Sequence, residues 1–406
     1  MTGLKIYLIG IGTGNKLMLT EQAVQAMNEC EVFIGAKRML GIVGDMRQPV
    51  YDAYKTEEIC GYIDAHSELK TAGILLSGDC GFYSGAKRLV KALEGHETEI
   101  IPGISSLVYL CAKLKIAWDD MMITSLHGQK KNIVGYVRDS KKVFTLLSGE
   151  KDLRELCQKL TYYGFSDVRM HIGQNLSYEN EMIIHTTPAE LEDYSYGRLA
   201  AVVIENDNPA KYSGRALKDE EFIRSNVPMT KEEVRTVSLS KLGLKNDSVL
   251  YDIGAGTGSV SIASALQSPD IRVYAIERNS VAAELIEENK RKFAADNIEI
   301  IRGSAPEAMK GLEAPSHIFI GGSGGNMEDI INAAWALEPR AKIVINTVSL
   351  ESLAQVTGIL NKREDISSDV TLMSVSKSRA IGKYNLMTAQ NPVYIISLER
   401  KEKDEK

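Results

Sequence analysis

A glycine-rich loop between an apolar strand and a helix carries the clearest chemical signal in this sequence. Residues 249–253 form an apolar run with Asp252 near its end, and glycines follow at positions 254, 256 and 258. Glycines let a backbone approach a ligand closely, and the start of the next helix favours an anionic group. A strand, a glycine loop and a helix in this order predict the entry unit of a nucleotide-binding α/β domain.

The glycine spacing and the next acidic residue narrow the class of ligand. A dinucleotide-binding loop has the spacing Gly-x-Gly-x-x-Gly, whereas here Ser259 stands where the third glycine would be. The next predicted strand, 271–276, ends at Glu277, whose carboxylate can accept hydrogen bonds from two ribose hydroxyls. A glycine turn in another kind of α/β domain is the alternative.

This pattern resembles that of the class I S-adenosylmethionine-dependent methyltransferases. The resemblance implies that the loop binds S-adenosylmethionine and that a residue after the third strand touches its adenine ring. The implied cofactor-binding residues are Asp252, Gly254, Ala255, Gly256, Thr257, Gly258, Glu277 and Ala305.

The first half of the chain contains five further loop segments that follow or precede predicted strands. They are Gly-Ile-Gly-Thr-Gly at 10–14, Ser-Gly-Asp at 77–79, Pro-Gly-Ile-Ser-Ser at 102–106, Ser-Leu-His-Gly at 125–128 and Asn-Leu-Ser-Tyr at 175–178. In this order they resemble the tetrapyrrole methylase family over about residues 4–205. The last two segments narrow the resemblance to the branch that methylates precorrins at carbon 5.

The tetrapyrrole methylase resemblance implies two α/β lobes with S-adenosylmethionine in the cleft between them. The implied cofactor-binding residues are Gly78, Asp79, Phe82, Ser105 and Ser106. The residues implied to face the tetrapyrrole are Gly10, Gly12, Gly14 and His127. The chain departs from the family pattern at Thr13 and Cys80, where the family often has proline, whose ring would stiffen the turn.

Paired basic residues follow a predicted strand in a Gly-Ala-Lys-Arg segment at 35–38, which recurs at 85–88. Precorrins carry acetate and propionate groups, and basic side chains can bind carboxylates. We predict that Lys37 and Arg38 contact the substrate because they directly follow a strand end. A solvated helix start is the alternative for both segments.

Two segments of the second half indicate the class of substrate that it binds. Thr230 followed by Glu233 is the signature of a helix capping box, and the same segment resembles the entry helix of the precorrin C(15)-methyltransferase branch. That resemblance places Thr230 beside the cofactor. After the fourth strand, 317–320, four glycines surround Ser323, at the edge where open α/β sheets bind ligands. We predict that Gly322, Ser323 and Gly324 contact a flat, bulky substrate.

Asn-Pro-Val-Tyr at 391–394 resembles the Asn-Pro-Pro-Tyr motif of enzymes that methylate amines of nucleic acids. That motif follows the fourth strand, whereas this segment opens the last one. The net charge of −6 provides no basic surface for nucleic acid either. We therefore predict no nucleic-acid partner.

Composition indicates a globular protein of two or three domains, with 406 residues, 44% hydrophobic and 25% charged. No apolar run approaches the roughly 20 residues of a membrane helix, and the N-terminus opens as a strand without a signal-peptide layout. We expect a cytoplasmic protein with no membrane partner. The five cysteines are scattered without a Cys-x-x-Cys pair, so we expect no metal site and no disulfide framework.

The predicted fold class is α/β in both halves. A two-lobed tetrapyrrole methylase domain would span residues 1–207, and a class I Rossmann-like methyltransferase domain would span 208–406. The boundary lies in the polar segment 205–209, directly after the strand at 200–204.

Together the resemblances imply a fused S-adenosylmethionine-dependent C-methyltransferase with one cofactor per domain. The second domain would methylate carbon 15 of a precorrin or cobalt-precorrin and decarboxylate the ring C acetate. The first would then methylate carbon 5, on the route to cobalamin. We name no catalytic side chain, because methyl transfer depends mainly on positioning.

Two functional alternatives remain open: a methyltransferase acting on RNA or protein, and a non-catalytic module that senses S-adenosylmethionine. A homo-oligomer is expected, since symmetric association is common.

Overall fold

Parallel strands alternate with helices along most of the chain. The computed structural model describes residues 4–127, 131–191, 200–210, 212 and 214–401. Two units are distinguished by their internal contacts. The first contains the described residues of 1–130, 140–158 and 166–207, and the second those of 131–139, 159–165 and 208–406.

The first lobe of unit 1 is a parallel five-stranded sheet in the order β3-β2-β4-β1-β5. Its strands are β1 (Lys5–Gly10), β2 (Val32–Gly35), β3 (Val50–Asp52), β4 (Thr71–Leu76) and β5 (Glu97–Ile101). The helices of this part of the chain are α1 (Glu21–Glu29), α2 (Lys37–Leu40), α3 (Thr56–Ala65) and α4 (Ala86–Ala92). The loops after β1, β4 and β5 meet at the carboxyl edge of this sheet.

The second lobe is a mixed sheet in the order β6-β7-β10-β8-β9, in which only β6 and β7 pair in parallel. Its strands are β6 (Met122–Ser125), β7 (Lys142–Leu147), β8 (Arg169–Gln174), β9 (Met182–Thr186) and β10 (Ala200–Glu205). The helices of this stretch of chain are α5 (Ser106–Leu114), α6 (Ile133–Asp139) and α7 (Glu150–Tyr162). The contacts of α6 assign it to the second unit.

The second unit contains a seven-stranded sheet in the order β13-β12-β11-β14-β15-β19-β16. Its strands are β11 (Val249–Ile253), β12 (Arg272–Glu277), β13 (Ile298–Arg302), β14 (His317–Ile320), β15 (Lys342–Thr347), β16 (Ile366–Met373) and β19 (Val393–Arg400). Strands β11 to β15 are parallel, and β19 runs antiparallel to β15 and β16. This doubly wound sheet confirms the predicted α/β fold with a Rossmann-like second half.

Helices pack on both faces of this sheet, and a separate hairpin precedes its last strand. The helices are α8 (Glu232–Leu242), α9 (Ser259–Ala265), α10 (Ser280–Lys292), α11 (Met327–Leu337) and α12 (Leu350–Lys362). The hairpin consists of β17 (Ser376–Ile381) and β18 (Tyr384–Ala389). Gly382 has a φ of +62° in its two-residue turn, a conformation that favours glycine. No helix in the described part of the chain is long and apolar enough to cross a membrane.

The start of α8 corrects one local prediction. Lys231 occupies the N-cap position and makes no side-chain capping hydrogen bond, so the capping box predicted from Thr230 and Glu233 is wrong. Thr230 lies one residue too early for its hydroxyl to cap the first turn. Its carbonyl oxygen instead accepts hydrogen bonds from Arg235 Nη1 at 2.7 Å and Ser259 Oγ at 3.4 Å. These bonds hold the segment before α8 against the start of α9.

Candidate cofactor and substrate sites

A cavity of about 1120 Å³ opens at the carboxyl ends of the parallel strands of the second unit. Its wall consists of the loops after β11 to β15, the residues before β19 and the segment 224–231. Open α/β sheets bind ligands at this edge, beside the point where the strand order reverses around β11. Ligand pockets are typically about 300–1,000 Å³, so this cavity has room for a cofactor and part of a second ligand.

Glycine is required at two positions of the loop after β11, because the backbone of another segment lies very close to each of them. Gly254 has a φ of +70°, and a Cβ atom there would lie 2.7 Å from the carbonyl oxygen of Gly322. Gly256 has a φ of +58°, and its Cβ would lie 2.9 Å from the Pro228 carbonyl oxygen. A side chain at either position would separate the walls of the cavity, so this part of the wall forms only with glycine.

Glu277, at the end of β12, is held in a fixed orientation on the cavity wall. The Gly256 N–H donates to its Oε2 at 2.9 Å, and the Asn279 N–H donates to its Oε1 at 2.8 Å. Each carboxylate oxygen has a second acceptor site. Glu277 can therefore still accept hydrogen bonds from a pair of ribose hydroxyls.

Asp252 lies beneath the glycine loop and does not line the cavity. Its Oδ2 accepts a hydrogen bond from Ser261 Oγ, and its Oδ1 has no partner among the described residues. Burial raises the pKa of this carboxyl to about 6. Gly258 also lies off the cavity wall, at the start of α9, where Ile286 packs against it. Both positions therefore support the loop from below.

The structure brings all the other residues predicted for the second half together around this cavity. Those on its wall are Thr230, Gly254, Ala255, Gly256, Thr257, Glu277, Ala305, Gly322, Ser323 and Gly324. Their contacts with a cofactor or substrate remain predictions.

Several polar residues that sequence reasoning did not select also line this cavity. Five of them are Arg224, Arg278, Asn346, Gln390 and Asn391. Asn391 belongs to the segment set aside as a nucleic-acid motif. It reaches the cavity because β19 runs antiparallel, so that the start of β19 lies at the carboxyl edge of β15. Recognising this position would have required the strand order.

In the first unit, three predicted loops meet at the carboxyl edge of the first sheet. Gly12 and Gly78 exchange two backbone hydrogen bonds of 3.1 and 2.7 Å. A Cβ atom at Gly10 would lie 2.7 Å from the Gly103 nitrogen. The Asp79 carboxylate accepts hydrogen bonds from the Gly81 N–H at 2.8 Å and from the Gly103 N–H at 3.1 Å. The second of these bonds joins the loop after β4 to the loop after β5.

Other predicted residues of the first unit connect these loops to the second lobe. Ser105 is the N-cap residue of α5, and its Oγ accepts from the Val108 N–H at 3.3 Å; Ser106 begins that helix. The Phe82 ring lies 5.8 Å from that of Phe144 on β7. The predicted cofactor residues thus border the junction of the two lobes.

The Asn-Leu-Ser-Tyr turn of the second lobe covers the loop at 10–14. Thr13 Oγ1 donates to Ser177 Oγ at 2.7 Å, and Asn15 Nδ2 donates to the Ser177 carbonyl oxygen at 2.8 Å. A Cβ atom at Gly14 would lie 2.0 Å from the Tyr178 hydroxyl oxygen. Gly14 therefore leaves room for the Tyr178 side chain, and that side chain limits the contact of Gly14 with a substrate.

The two basic residues and the histidine predicted to contact the substrate in the first unit are exposed to solvent, and each has different neighbours. Arg38 Nη2 donates to Ser77 Oγ at 3.3 Å, beside the Ser-Gly-Asp loop. The exposed Lys37 begins α2, and His127 Nδ1 shares a hydrogen bond of 2.8 Å with Ser148 Oγ. Gly128 of the same motif lies outside the described residues.

Across the described ranges, no group of three or more His, Cys, Asp or Glu residues is arranged to hold a metal ion.

Comparison with known proteins gives two family matches that divide the chain. Residues 5–192 match the tetrapyrrole (corrin/porphyrin) methylases, and residues 221–400 match the precorrin methyltransferase domain.

Individual relatives match either about half of the chain or nearly all of it. The cobalt-precorrin-6B C(15)-methyltransferase (decarboxylating) of Salmonella typhimurium is 40% identical over 188 residues, which are 46% of this chain and 97% of that protein. The precorrin-6Y C(5,15)-methyltransferase [decarboxylating] of Sinorhizobium sp. is 25% identical over 384 residues, 92% of this chain and 91% of that protein. The crystal structure of a precorrin-6y C5,15-methyltransferase from Geobacter metallireducens GS-15 is 38% identical and covers 47% of this chain and 100% of its own, with a TM-score of 0.44.

These matches confirm both predicted resemblances and their order in the chain. The chain belongs to the decarboxylating precorrin methyltransferases, and in it a region that matches the tetrapyrrole methylases precedes a region that matches the precorrin methyltransferase domain.

Proposed function

We propose that this protein methylates carbons 5 and 15 of a precorrin or cobalt-precorrin macrocycle and decarboxylates its ring C acetate, in cobalamin biosynthesis. The observation that carries the proposal is the presence, in one chain, of two glycine-loop sites within regions that match two precorrin-modifying families. A relative that aligns with 92% of the chain has a name that states both methylations and the decarboxylation.

The residues of the second unit suit S-adenosylmethionine as the methyl donor. Gly254 and Gly256 leave a cradle that a Cβ atom would fill, and Glu277 presents a fixed carboxylate toward a ribose. When bound, the cofactor supplies an activated methyl group on a sulfonium. The chain then has to hold a macrocyclic carbon in line with that methyl group and exclude water, which lowers the barrier mainly through orientation.

Decarboxylation also requires little acid–base chemistry from the protein. The conjugated macrocycle can accept the electron pair left when carbon dioxide departs, and the former acetate methylene then takes up one proton to become a methyl group. Among the described residues of the cavity wall, Glu277 is the only carboxylate, and backbone N–H groups already engage both its oxygens. The second unit thus acts chiefly by positioning the acetate-bearing ring.

We further propose a division of labour with one S-adenosylmethionine per domain. The domain at 208–406 would methylate carbon 15 and remove carbon dioxide, because it contains the match to the precorrin methyltransferase domain and the C(15)-methyltransferases match about half of this chain. The domain at 1–207 would then methylate carbon 5. The substrate is a small molecule, and we propose that the chain acts as a homo-oligomer.

Mass spectrometry of the product tests the proposed function. Purified protein is incubated with the reduced tetrapyrrole and S-adenosylmethionine, and the expected product has gained two methyl groups and lost one carbon dioxide. An unchanged mass with authentic substrate would reject the proposal. RNA that copurifies and becomes methylated would favour the alternative of a nucleic-acid methyltransferase.

A further inference from the structure

We infer that Arg278 and Arg224 bind carboxylate groups of the substrate at the second unit's cavity and so select a polycarboxylate macrocycle. The inference rests on the proposed function, because it assigns the residues that recognise that substrate. Both arginines line the cavity, and neither was selected by a motif.

Arg278 extends from the end of β12 to the glycine-rich turn after β14. A Cβ atom on Gly324 would lie 3.1 Å from Arg278 Nη1 and 3.7 Å from its Cζ. Strands β12 and β14 flank β11 on opposite sides, so the guanidinium lies beside the turn predicted to meet the substrate. Gly324, with a φ of +60°, leaves the space that this guanidinium needs.

Both guanidinium groups are free to bind a ligand. Among the described residues, neither arginine has an ion pair or a hydrogen bond, and both are exposed. Several other arginines of the same unit do form ion pairs, for example Arg272 with Glu313 at 2.7 Å and Arg363 with Asp365 at 2.7 Å. An unpaired guanidinium offers a planar set of donors that matches a carboxylate.

The charge of the cavity wall favours an anionic ligand. Its described charged residues are Arg224, Lys231, Arg278 and Glu277, which are three cations and one carboxylate. Lys231 already lies 4.0 Å from Asp219, so we do not include it in the subsite. The carboxylate of Glu277 forms no ion pair with either arginine, so both guanidinium charges are available to an anionic ligand.

Two carboxylate sources are possible: the acetate and propionate groups of the macrocycle, and the methionine end of the cofactor. Kinetics and calorimetry on the full-length protein separate them. The variants are Arg278→Gln, Arg224→Gln and Arg278→Lys, and the control is Arg302→Gln. Arg302 is an exposed arginine at the end of β13 without an ion pair among the described residues, and it lies outside the cavity wall.

Loss of either guanidinium should raise the KM for the macrocycle about tenfold at saturating S-adenosylmethionine, with little change in kcat. The Kd for S-adenosylmethionine, measured by calorimetry, should stay within about twofold. Arg278→Lys should recover part of the loss, because it keeps the charge without the planar donors. The Arg302→Gln control should match the wild type in both measurements.

An unchanged KM in both glutamine variants would overturn the assignment. A Kd for S-adenosylmethionine that rises about tenfold while the macrocycle KM is unchanged would instead assign the arginines to the cofactor carboxylate. Wild-type turnover is measured first. Its absence would reject the proposed function itself, whereas an active wild type with unaffected variants would reject only the role of the two arginines.

Discussion

Asp252 shows how one residue can support a site without lining it. Its carboxyl is completely buried beneath the glycine loop, and burial raises its pKa to about 6 from an ordinary value of 3.8. The folded protein therefore holds this proton more tightly than the unfolded chain does. The associated stability is fully present below about pH 4 and is lost as the pH rises through about 6.

Asp252→Asn should remove this pH dependence, because the amide does not ionise. Relative to the variant, the wild-type second unit should lose about 1–3 kcal/mol of unfolding free energy between pH 4 and pH 7. Denaturant unfolding can be followed by the fluorescence of Trp335, which is buried in this unit, in a Trp118→Phe background. Parallel pH profiles for the wild type and the variant would show that Asp252 is not protonated in the folded state.

Gly256 tests whether the two cofactor sites are separate. Gly256→Val places a branched side chain against the Pro228 carbonyl oxygen at a φ of +58°, so the loop cannot keep its path. We expect loss of carbon 15 methylation and of one cofactor site, with the first unit's site retained. Calorimetric titration with S-adenosylmethionine measures the number of sites.

The matched control for Gly256→Val is Gly358→Ala in α12, where an added Cβ has no atom within 4 Å. That variant should bind as the wild type does. Loss of both cofactor sites in Gly256→Val would contradict the proposed division of labour.

Whether a site residue could be predicted depends on how close it lies, along the chain, to the other residues of the site. Gly254, Gly256 and Glu277 could be predicted, because a loop and the end of the next strand are close in sequence. Arg224 and Asn391 could not, because the segment before α8 and the start of an antiparallel strand reach the cavity only through the tertiary fold. The position of Asp252 near the end of β11 could also be predicted, but the sequence does not show whether its side chain faces the cavity or the core.

At the scale of secondary-structure elements, apolar runs predicted strands β11, β12 and β14 of the second unit. No such run predicted β16, β17 or β18. All residues of β17 and β18 are exposed, so the hairpin has no buried face to impose an alternating hydrophobic pattern. The start of α8 was placed wrongly for a different reason, since a capping signature does not show which residue begins the helix.

The β17–β18 hairpin is our candidate for the contact between copies of the chain. It exposes four large apolar side chains, and exposed apolar hairpins favour pairing with another chain. They are Ile381, Tyr384, Leu386 and Met387, with exposed fractions of 52%, 75%, 52% and 67%. Burying them against a second copy would remove this apolar surface from water.

Changing Tyr384, Leu386 and Met387 together to serine should lower the oligomeric state measured by light scattering after size-exclusion chromatography. Leu350→Ser, at an apolar position that is 78% exposed outside the hairpin, serves as the control and should not change the mass. An unchanged mass in the triple variant would place the contact between copies elsewhere on the chain.

At the scale of the whole molecule, the order of the two family regions is the main support for the proposed function. Either glycine-loop site alone is compatible with many methyltransferases, because a fold does not determine a substrate. Their combination in one chain, which aligns over 384 residues with a C(5,15)-methyltransferase, supports the proposal that one macrocycle is methylated at two carbons. Motif order along the sequence was enough to predict this architecture, whereas the shape and charge of the cavity required the structure.

The positions of the transferred methyl groups test the proposed function most directly. The wild-type protein is supplied with the reduced tetrapyrrole and S-adenosylmethionine carrying a ¹³C-labelled methyl group, and the product is analysed by NMR. We predict two enriched methyl carbons, attached to carbons 5 and 15, together with loss of the ring C acetate carboxyl. A single enriched methyl carbon, or label on oxygen or nitrogen, would contradict the proposal that one chain performs both carbon methylations.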